Sequence, residues 1–269
     1  MGTDAGWVDR LDVDRIEEAA SGCVIGRRVV VYQSTRSTND IAWEYAKGAE
    51  SDGLVVFAEE QSGGRGRRGN KWLSSAGQSL LCSVIVSGVS AGAELLTLAS
   101  AVATAEAIRE YAGVSARIKW PNDVMVGGKK ICGILVESRA IAGRKVFVVG
   151  IGINCHQGED FFGSEELRMP GTSVDLAMGE VCDRNELAGV LLRKLDVWVG
   201  KMQADEKAVI DGWGRLSSQL GEYVTVEHNN RRYSGICAGV DPVEGLILRL
   251  DGGAVRMFEA GQTTIVKHS

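Results

Sequence analysis

The period of the apolar residues changes once along this chain of 269 residues, and that change limits the folds open to it. Up to about residue 216, apolar runs such as 79–86 alternate with segments of helical period such as 93–112. From residue 217 onward, short segments alternate apolar and polar residues between turn sequences such as Asp251-Gly252-Gly253. Period 2 is typical of strands and period 3.6 of helices. We therefore predict an α+β fold with two domains, residues 1–216 and 217–269.

The larger domain is predicted to hold strands and helices in alternation. Strands are expected at 28–32, 54–58, 79–87, 117–120, 124–126, 130–136 and 145–153, and helices at 13–20, 93–112 and 184–202. Ser37 or Thr38 is expected to cap a further helix, in which Ile41 and Tyr45 recur at helical spacing. Residues 156–175 are predicted to form a loop or a short helix. The four or five short strands of the second domain predict a small SH3-like barrel packed on the first.

Composition excludes several classes of protein. The N-terminus lacks a basic, apolar leader, and the longest apolar run is too short to span a bilayer, so we expect a cytoplasmic protein without membrane contact. The six cysteines form no C-x-x-C pair and mostly lie in apolar runs, which favours reduced core thiols over disulfides or zinc ligands. None of the three histidines is paired at metal-ligand spacing, so neither a structural metal nor a Ser-His-Asp triad is predicted.

A loop between Gly63 and Lys71 holds four glycines and four cations within nine residues. Glycine exposes backbone N–H donors, and arginine binds phosphate or carboxylate oxygens through two parallel hydrogen bonds. We therefore expect an anion to bind here. The glycines match a dinucleotide fingerprint, but residues 72–78 lack the helical period that such a site requires. The P-loop pattern fails as well, because Asn70 follows Gly69 where a lysine is needed.

RNA binding by this Arg/Gly segment is an alternative that the sequence leaves open. Arg/Gly tracts that bind RNA usually repeat and lie in disordered regions. This segment occurs once, between two apolar strands, in a chain of net charge −5. A domain that binds duplex nucleic acid is expected to be basic overall or to carry a long basic face. The acidic balance therefore makes nucleic acid the less favoured partner.

Four further motifs accompany the loop in a fixed order. They are Ser37-Thr38-Asn39, Lys119-Trp120-Pro121-Asn122-Asp123-Val124, Gly133-Ile134-Leu135-Val136-Glu137 and Gly150-Ile151-Gly152-Ile153-Asn154. With Gly64-Arg65-Gly66-Arg67-Arg68-Gly69, they resemble the biotin protein ligases, that is, the biotin–[acetyl-CoA-carboxylase] ligases. The resemblance extends from about residue 30 to the C-terminus. Five ordered segments make it far more specific than the loop alone.

The resemblance implies a mixed β-sheet flanked by helices, related to class II aminoacyl-tRNA synthetases and lipoyl ligases, followed by an SH3-like barrel. It implies that biotin and ATP form biotinyl-5′-AMP with Mg²⁺, after which biotin passes to one lysine of a biotin carboxyl carrier protein. Some members carry an N-terminal DNA-binding domain. Here the first predicted strand begins near Arg28, so the chain resembles the monofunctional class, without a nucleic-acid partner. A homodimer is left open.

The resemblance also assigns residues to the site. It implies that biotin is bound by Ser37, Thr38, Asn39, Gln61, Arg65, Gly66, Arg67, Lys130 and Gly133. ATP and the adenylate are assigned to Arg65, Arg68, Trp72, Asn122, Lys130 and Asn154. Lys130 and Arg67 are the catalytic candidates, since cations must follow the charge that develops between carboxylate and α-phosphate. Asp123 is assigned to Mg²⁺ or to steering the incoming lysine.

Each assignment has a plainer alternative. Ser37 and Thr38 could only cap a helix, Trp72 and Trp120 could be core residues, and residues 121–123 could be only a turn. Lys129 could replace Lys130, although the family's lysine lies three residues before the glycine that matches Gly133. A lipoate ligase or octanoyltransferase of the same superfamily is an alternative function, and a nucleic-acid-binding regulator is a second one from another class.

Overall fold

The computed structural model describes residues 9–48, 50–164, 167 and 169–268. Seven strands form one sheet in the order β1-β2-β3-β7-β6-β5-β4. They are β1 (Arg28–Thr35), β2 (Leu54–Gln61), β3 (Ser79–Ser87), β4 (Ala116–Lys119), β5 (Asp123–Val126), β6 (Lys129–Ile141) and β7 (Arg144–Asn154). The pair β1 and β2 is parallel and the other neighbours are antiparallel, which confirms the predicted mixed sheet. The expected absence of an N-terminal leader concerns residues 1–8, which lie outside the described residues.

Helices cover both faces of this sheet. The helices are α1 (Val13–Ala19), α2 (Thr38–Tyr45), α3 (Ala93–Ala112), α4 (Glu159–Phe162), α5 (Val174–Met178), α6 (Arg184–Ala204) and α7 (Glu206–Leu216). Val84 and Val86 of β3 belong to the large core shared with α3 and α6, whereas Ile85 belongs to a smaller core with Trp43 of α2. Neighbouring residues of a strand point to opposite faces, so one apolar strand supplies both cores.

Helix α7 was not predicted from the sequence. Gly212 and Gly214 lie inside it, and glycine lowers helix propensity. Packing compensates, because Val209 and Trp213 are buried in the large core. At Gly212, an added Cβ would lie 2.6 Å from Trp198 of α6. The glycine therefore permits a close approach that a larger residue would prevent.

A buried guanidinium ties α6 to the sheet. Arg184 is fully buried, and its Nη1 donates to Glu59 Oε2 of β2 at 2.7 Å and to the carbonyl oxygen of Ser79 at 3.2 Å. It also forms an ion pair with Asp9 at 2.5 Å. A buried charge is tolerated only when it is paired and hydrogen-bonded. These contacts meet that condition for both Arg184 and the buried Glu59.

The C-terminal strands form a separate antiparallel sheet. They are β8 (Tyr223–His228), β9 (Arg231–Asp241), β10 (Gly245–Leu250), β11 (Val255–Phe258) and β12 (Thr263–His268), in the order β11-β10-β9-β8-β12. Within the described part of the chain, no ladder joins the edge strands β11 and β12. The predicted run of short strands is therefore confirmed, whereas closure into an SH3-like barrel is not. No described helix is long and apolar enough to cross a membrane.

Candidate active site

A cavity of about 950 Å³ opens above the sheet, where the loop at 63–72 meets the C-terminal strands. Small-molecule sites commonly occupy about 300–1,000 Å³, so the cavity has room for a ligand as large as a nucleotide conjugate. Thr263, Thr264 and Ile265 of β12 add a wall that the sequence analysis did not predict. All the residues assigned to a site from the sequence line this cavity, namely Ser37, Thr38, Asn39, Gln61, Arg65, Gly66, Arg67, Arg68, Trp72, Asn122, Asp123, Lys130, Gly133 and Asn154.

The start of α2 forms the neutral polar end of the cavity. Gln61 Oε1 accepts hydrogen bonds from Thr38 N at 2.8 Å and from Thr38 Oγ1 at 3.1 Å. Ser37 occupies the N-cap position, as one alternative expected, but its side chain makes no capping hydrogen bond. Ser37, Thr38 and Asn39 are all buried next to the cavity. This end therefore offers hydroxyl and amide groups in a site largely shielded from water.

The side chain of Asn39 is held in one orientation. Its Oδ1 lies 2.6 Å from Ser83 Oγ, and its Nδ2 donates to Glu137 Oε2 at 3.2 Å. Gly150 of β7 lies directly against it, since an added Cβ would be 2.3 Å from Asn39 Oδ1. Sequence reasoning missed Ser83 and Glu137 as supporting residues. Two sequence features could have indicated them. Ser83 is a polar residue inside an apolar strand, and Glu137 is the acid that ends the motif 133–137.

Arg65 is paired with two carboxylates outside its own loop. Its Nη1 lies 2.6 Å from Asp40 Oδ1, and its Nη2 lies 3.3 Å from Glu137 Oε1. Glu137 also accepts from Trp43 Nε1 at 2.9 Å, so one acid connects Arg65, Asn39 and Trp43. The loop contains no acid of its own. Its first arginine is nevertheless neutralised by groups that only the fold brings near.

The next two arginines bridge the loop to the C-terminal sheet. Arg67 donates to Asn122 Oδ1 at 3.2 Å and to the carbonyl oxygen of Ala260. Burial lowers the pKa of the Arg67 guanidinium. Arg68 donates to Thr264 Oγ1 and has a φ of 56°, a left-handed conformation that is strained for a residue with a side chain. The loop therefore reaches across the cavity rather than lying free in solvent.

Lys130 reaches the same cavity from β6. Its Nζ lies 2.5 Å from Asp123 Oδ1 and 5.7 Å from the centre of the Trp72 ring. The neighbouring Lys129 is exposed and does not line the cavity, because adjacent residues of a strand point in opposite directions. The backbone of Lys130 is bound on both sides, with its N–H donating to the carbonyl of Pro170 and its carbonyl accepting from Thr172 N, each at 2.9 Å.

Asn154 supports this backbone from the end of β7. Its Nδ2 donates to the carbonyl of Thr172 at 3.0 Å and lies 3.5 Å from the carbonyl oxygen of Lys130. Asn122, on the opposite side, donates to the carbonyl of Ile134 at 2.7 Å. Both amides therefore hold backbone as well as lining the cavity.

The Trp72 ring packs against two glycines of the sheet, Gly133 of β6 and Gly152 of β7. A Cβ added at Gly133 would lie 2.9 Å from its ring, and one added at Gly152 would lie 2.6 Å away. Its Nε1 is buried and has no hydrogen-bond partner among the described residues. Trp120, in contrast, is a buried core residue, as its plainer alternative predicted. Trp120 nevertheless lines the cavity as well, so both tryptophans border it.

The cavity joins hydroxyl and amide groups at the start of α2 to the cationic loop at 63–72. Residues 31–154 match the Biotin/lipoate A/B protein ligase family. The chain is 34% identical over 224 residues to the Biotin–[acetyl-CoA-carboxylase] ligase of Paracoccus denitrificans, covering 81% of this chain and 93% of that one. It is 32% identical over 251 residues to the Mycobacterium tuberculosis enzyme of the same name, covering 90% of each.

A solved structure agrees with these relatives. A variant of the Aquifex aeolicus biotin protein ligase in complex with biotin superposes with a TM-score of 0.76 at 25% identity, covering 89% of this chain and 98% of that one. The chain therefore belongs to the biotin/lipoate protein ligase family, among its biotin protein ligases.

Proposed function

We propose that the protein is an ATP-dependent biotin ligase, which converts biotin and ATP to biotinyl-5′-AMP and transfers the biotinyl group to a lysine of a biotin carboxyl carrier protein. The observation that carries this proposal is the presence, in one cavity, of a neutral polar end at α2 and a cationic end at Arg67 and Lys130. Biotin has the same two ends, a neutral ureido ring and a carboxylate. ATP would enter at the cationic end.

The ureido ring needs paired donors and acceptors rather than charge. Ser37, Thr38, Asn39 and Gln61 supply hydroxyl and amide groups, each able to donate and accept. Ser83 and Glu137 orient Asn39, which leaves one amide hydrogen and one lone pair for a ligand. In this proposal Arg65 and Gly66 cover the ureido ring, and Gly133 lies beside the valeryl chain of biotin.

Activation of the carboxylate brings two anions together. Lys130, Arg67 and Arg68 are proposed to hold the carboxylate and the α-phosphate, because fixed cations stabilise charge that develops in the transition state. Asn122 and Asn154 would contact ribose and phosphate, and Trp72 would stack on adenine. Loop closure over the adenylate would exclude the water that hydrolyses a mixed anhydride.

Magnesium is part of this proposal. Asp123 is the carboxylate among the described residues that line the cavity. Mg²⁺ is commonly held by one or two carboxylates together with substrate phosphates, so this donor set fits the ion. When bound, the ion would neutralise phosphate charge. Asp123, paired with Lys130 here, could alternatively steer the acceptor lysine.

A mass measurement tests the proposed function. A biotin carboxyl carrier domain incubated with the protein, biotin and MgATP should gain one biotinyl group on a single lysine. Lipoate in place of biotin should give no product, and a salt-dependent gel shift with DNA or RNA should be absent. Modification by lipoate alone would favour the lipoate ligase, and a gel shift without modification would favour a nucleic-acid regulator.

Three further features are part of this proposal. They are a cytoplasmic location, a division into two domains at residue 217 and closure of the C-terminal sheet into an SH3-like barrel.

Replacing Arg67 with glycine should speed the release of biotinyl-AMP. The guanidinium lies in the cavity with Asn122, and the loss of a charge-assisted contact costs about 1.5–3 kcal/mol, or roughly ten- to a hundredfold in affinity. Release is measured by a filter assay with labelled adenylate. Lys47→Ala, which removes an exposed cation outside the cavity, is the control and should leave release unchanged. Equal release from both variants and the parent would contradict the role of Arg67.

Replacing Gly150 with alanine should weaken biotin binding by displacing the side chain of Asn39. The new Cβ would lie 2.3 Å from Asn39 Oδ1, so the amide must move from its position between Ser83 and Glu137. Loss of one or two hydrogen bonds to the ureido ring costs about 1–3 kcal/mol, or roughly five- to 150-fold in Kd. Calorimetric titration with biotin measures it. Gly158→Ala, with no atom within 4 Å of its new Cβ, is the control. An unchanged Kd in Gly150→Ala would rule out this role for Asn39.

A further inference from the structure

A second group of polar side chains lies outside the ligand cavity, between β7 and α6. His156 follows β7, Asp175 lies on α5, and Cys182 precedes α6. One potential ligand atom from each residue lies within 4.8 Å of the other two. The residues are separated by 19 and 7 positions along the chain, so no spacing rule could indicate their convergence.

The distances are close to those of a tetrahedral zinc site. His156 Nδ1 lies 2.9 Å from Asp175 Oδ2 and 3.9 Å from Cys182 Sγ. With Zn–N and Zn–O bonds of about 2.0 Å and Zn–S bonds of about 2.3 Å, the corresponding edges of a tetrahedron are about 3.3 Å and about 3.5 Å. Each observed distance therefore differs from the required one by about 0.4 Å, which small side-chain rotations can supply.

The surroundings match those of a buried metal ligand. The side chain of His156 is 2% exposed, and its Nε2 has no hydrogen-bond partner among the described residues. The Asp9 carboxylate lies 3.7 Å from that nitrogen. Histidines that bind metal usually direct the second ring nitrogen at a carboxylate, which fixes the tautomer. Here a carboxylate already stands within a short movement of the unpartnered nitrogen.

A second sulfur lies beside the cluster. Hydrogen bonding to the Cys155 thiol, together with burial, raises the pKa of the Cys182 thiol. Both are buried and free of disulfides. A nitrogen, a carboxylate oxygen and a sulfur suit Zn²⁺, whereas Ca²⁺ and Mg²⁺ require oxygen ligands.

We propose that His156 Nδ1, Asp175 Oδ2 and Cys182 Sγ bind a structural Zn²⁺ ion. On binding, the Cys182 thiol and His156 Nδ1 each release a proton to solvent, and the hydrogen bond between His156 and Asp175 is replaced by two bonds to the metal. The ion joins the end of β7 to α5 and the start of α6. The segment between His156 and Asp175 supplies Pro170 and Thr172, which bind the backbone of Lys130. Zinc would therefore stabilise the segment that holds the backbone of Lys130.

Metal content tests this site independently of ligase activity. The full chain is stripped with a chelator, loaded with Zn²⁺ or Co²⁺, dialysed and analysed by plasma mass spectrometry and absorption spectroscopy. We expect one zinc per chain and a thiolate-to-cobalt charge-transfer band. Both should be lost in Cys182→Ser and in Asp175→Asn, and both should be retained in Cys23→Ser, a half-buried cysteine elsewhere.

Two outcomes overturn the proposal. One is zinc content far below one per chain in the parent protein. The other is zinc that persists unchanged in both cluster variants, which marks an adventitious ion. Asp175 is the most accessible of the three ligands, at 20% exposure, so Asp175→Asn carries the test if Cys182→Ser does not fold. Circular dichroism establishes folding for each variant before the metal is measured.

Discussion

Lys130→Ala should lower the rate of biotinyl-AMP formation about 100- to 1,000-fold, the usual cost of removing one group that stabilises developing negative charge. The ammonium lies in the cavity, 2.5 Å from Asp123 and above the Trp72 ring. Charge is concentrated between carboxylate and α-phosphate in the transition state more than in either substrate, so ATP binding should fall much less than the rate. Single-turnover formation of the adenylate and equilibrium binding of ATP separate the two effects.

Lys129→Ala is the matched control for this prediction. Lys129 is adjacent in sequence but exposed outside the cavity, so its removal should change neither rate nor ATP binding. A variant series in which the two lysines behave alike would show that Lys130 has no special role. Greater loss at Lys129 would mean that the register of β5 against β6 differs from the pairing of Met125 with Lys130.

The second large effect concerns stability. Arg184→Leu should lower the free energy of unfolding by about 3–5 kcal/mol, because it leaves Glu59, a fully buried carboxylate, without its guanidinium. For a chain of this size the melting temperature should fall by about 5–10 °C. Chemical denaturation followed by tryptophan fluorescence measures the free energy, and calorimetry measures the melting temperature.

Two further variants identify the cause of this loss. Arg193→Leu removes an exposed arginine from the same helix, whose contact is one hydrogen bond to the carbonyl of Ala19, and should cost no more than about 1.5 kcal/mol. Adding Glu59→Leu to Arg184→Leu removes the unpaired buried acid and should recover part of the stability. A double variant less stable than Arg184→Leu would indicate that packing, not the unpaired charge, sets the cost.

Local sequence patterns predicted most strands and helices because their physical cause is local. Helix α3 was expected at 93–112 and spans Ala93–Ala112, since its apolar period is long and regular. Strand β3 was expected at 79–87 and spans Ser79–Ser87. Helix α7 was missed because its glycines weaken a local signal that packing against Trp198 restores. Closure of the C-terminal strands into a barrel depends on pairing between edges that no local period encodes.

The sequence by itself determined the family, the order of most elements and many of the residues that line the cavity, because most of these lie in contiguous motifs. Only the tertiary structure decided which charged and polar groups contact one another. Arg65 with Glu137, Arg67 with Ala260, Arg184 with Glu59, and His156 with Cys182 join residues 26 to 193 positions apart. Hydrogen bonds and ion pairs act over a few ångströms, so their partners are set by strand order and helix packing rather than by distance along the chain.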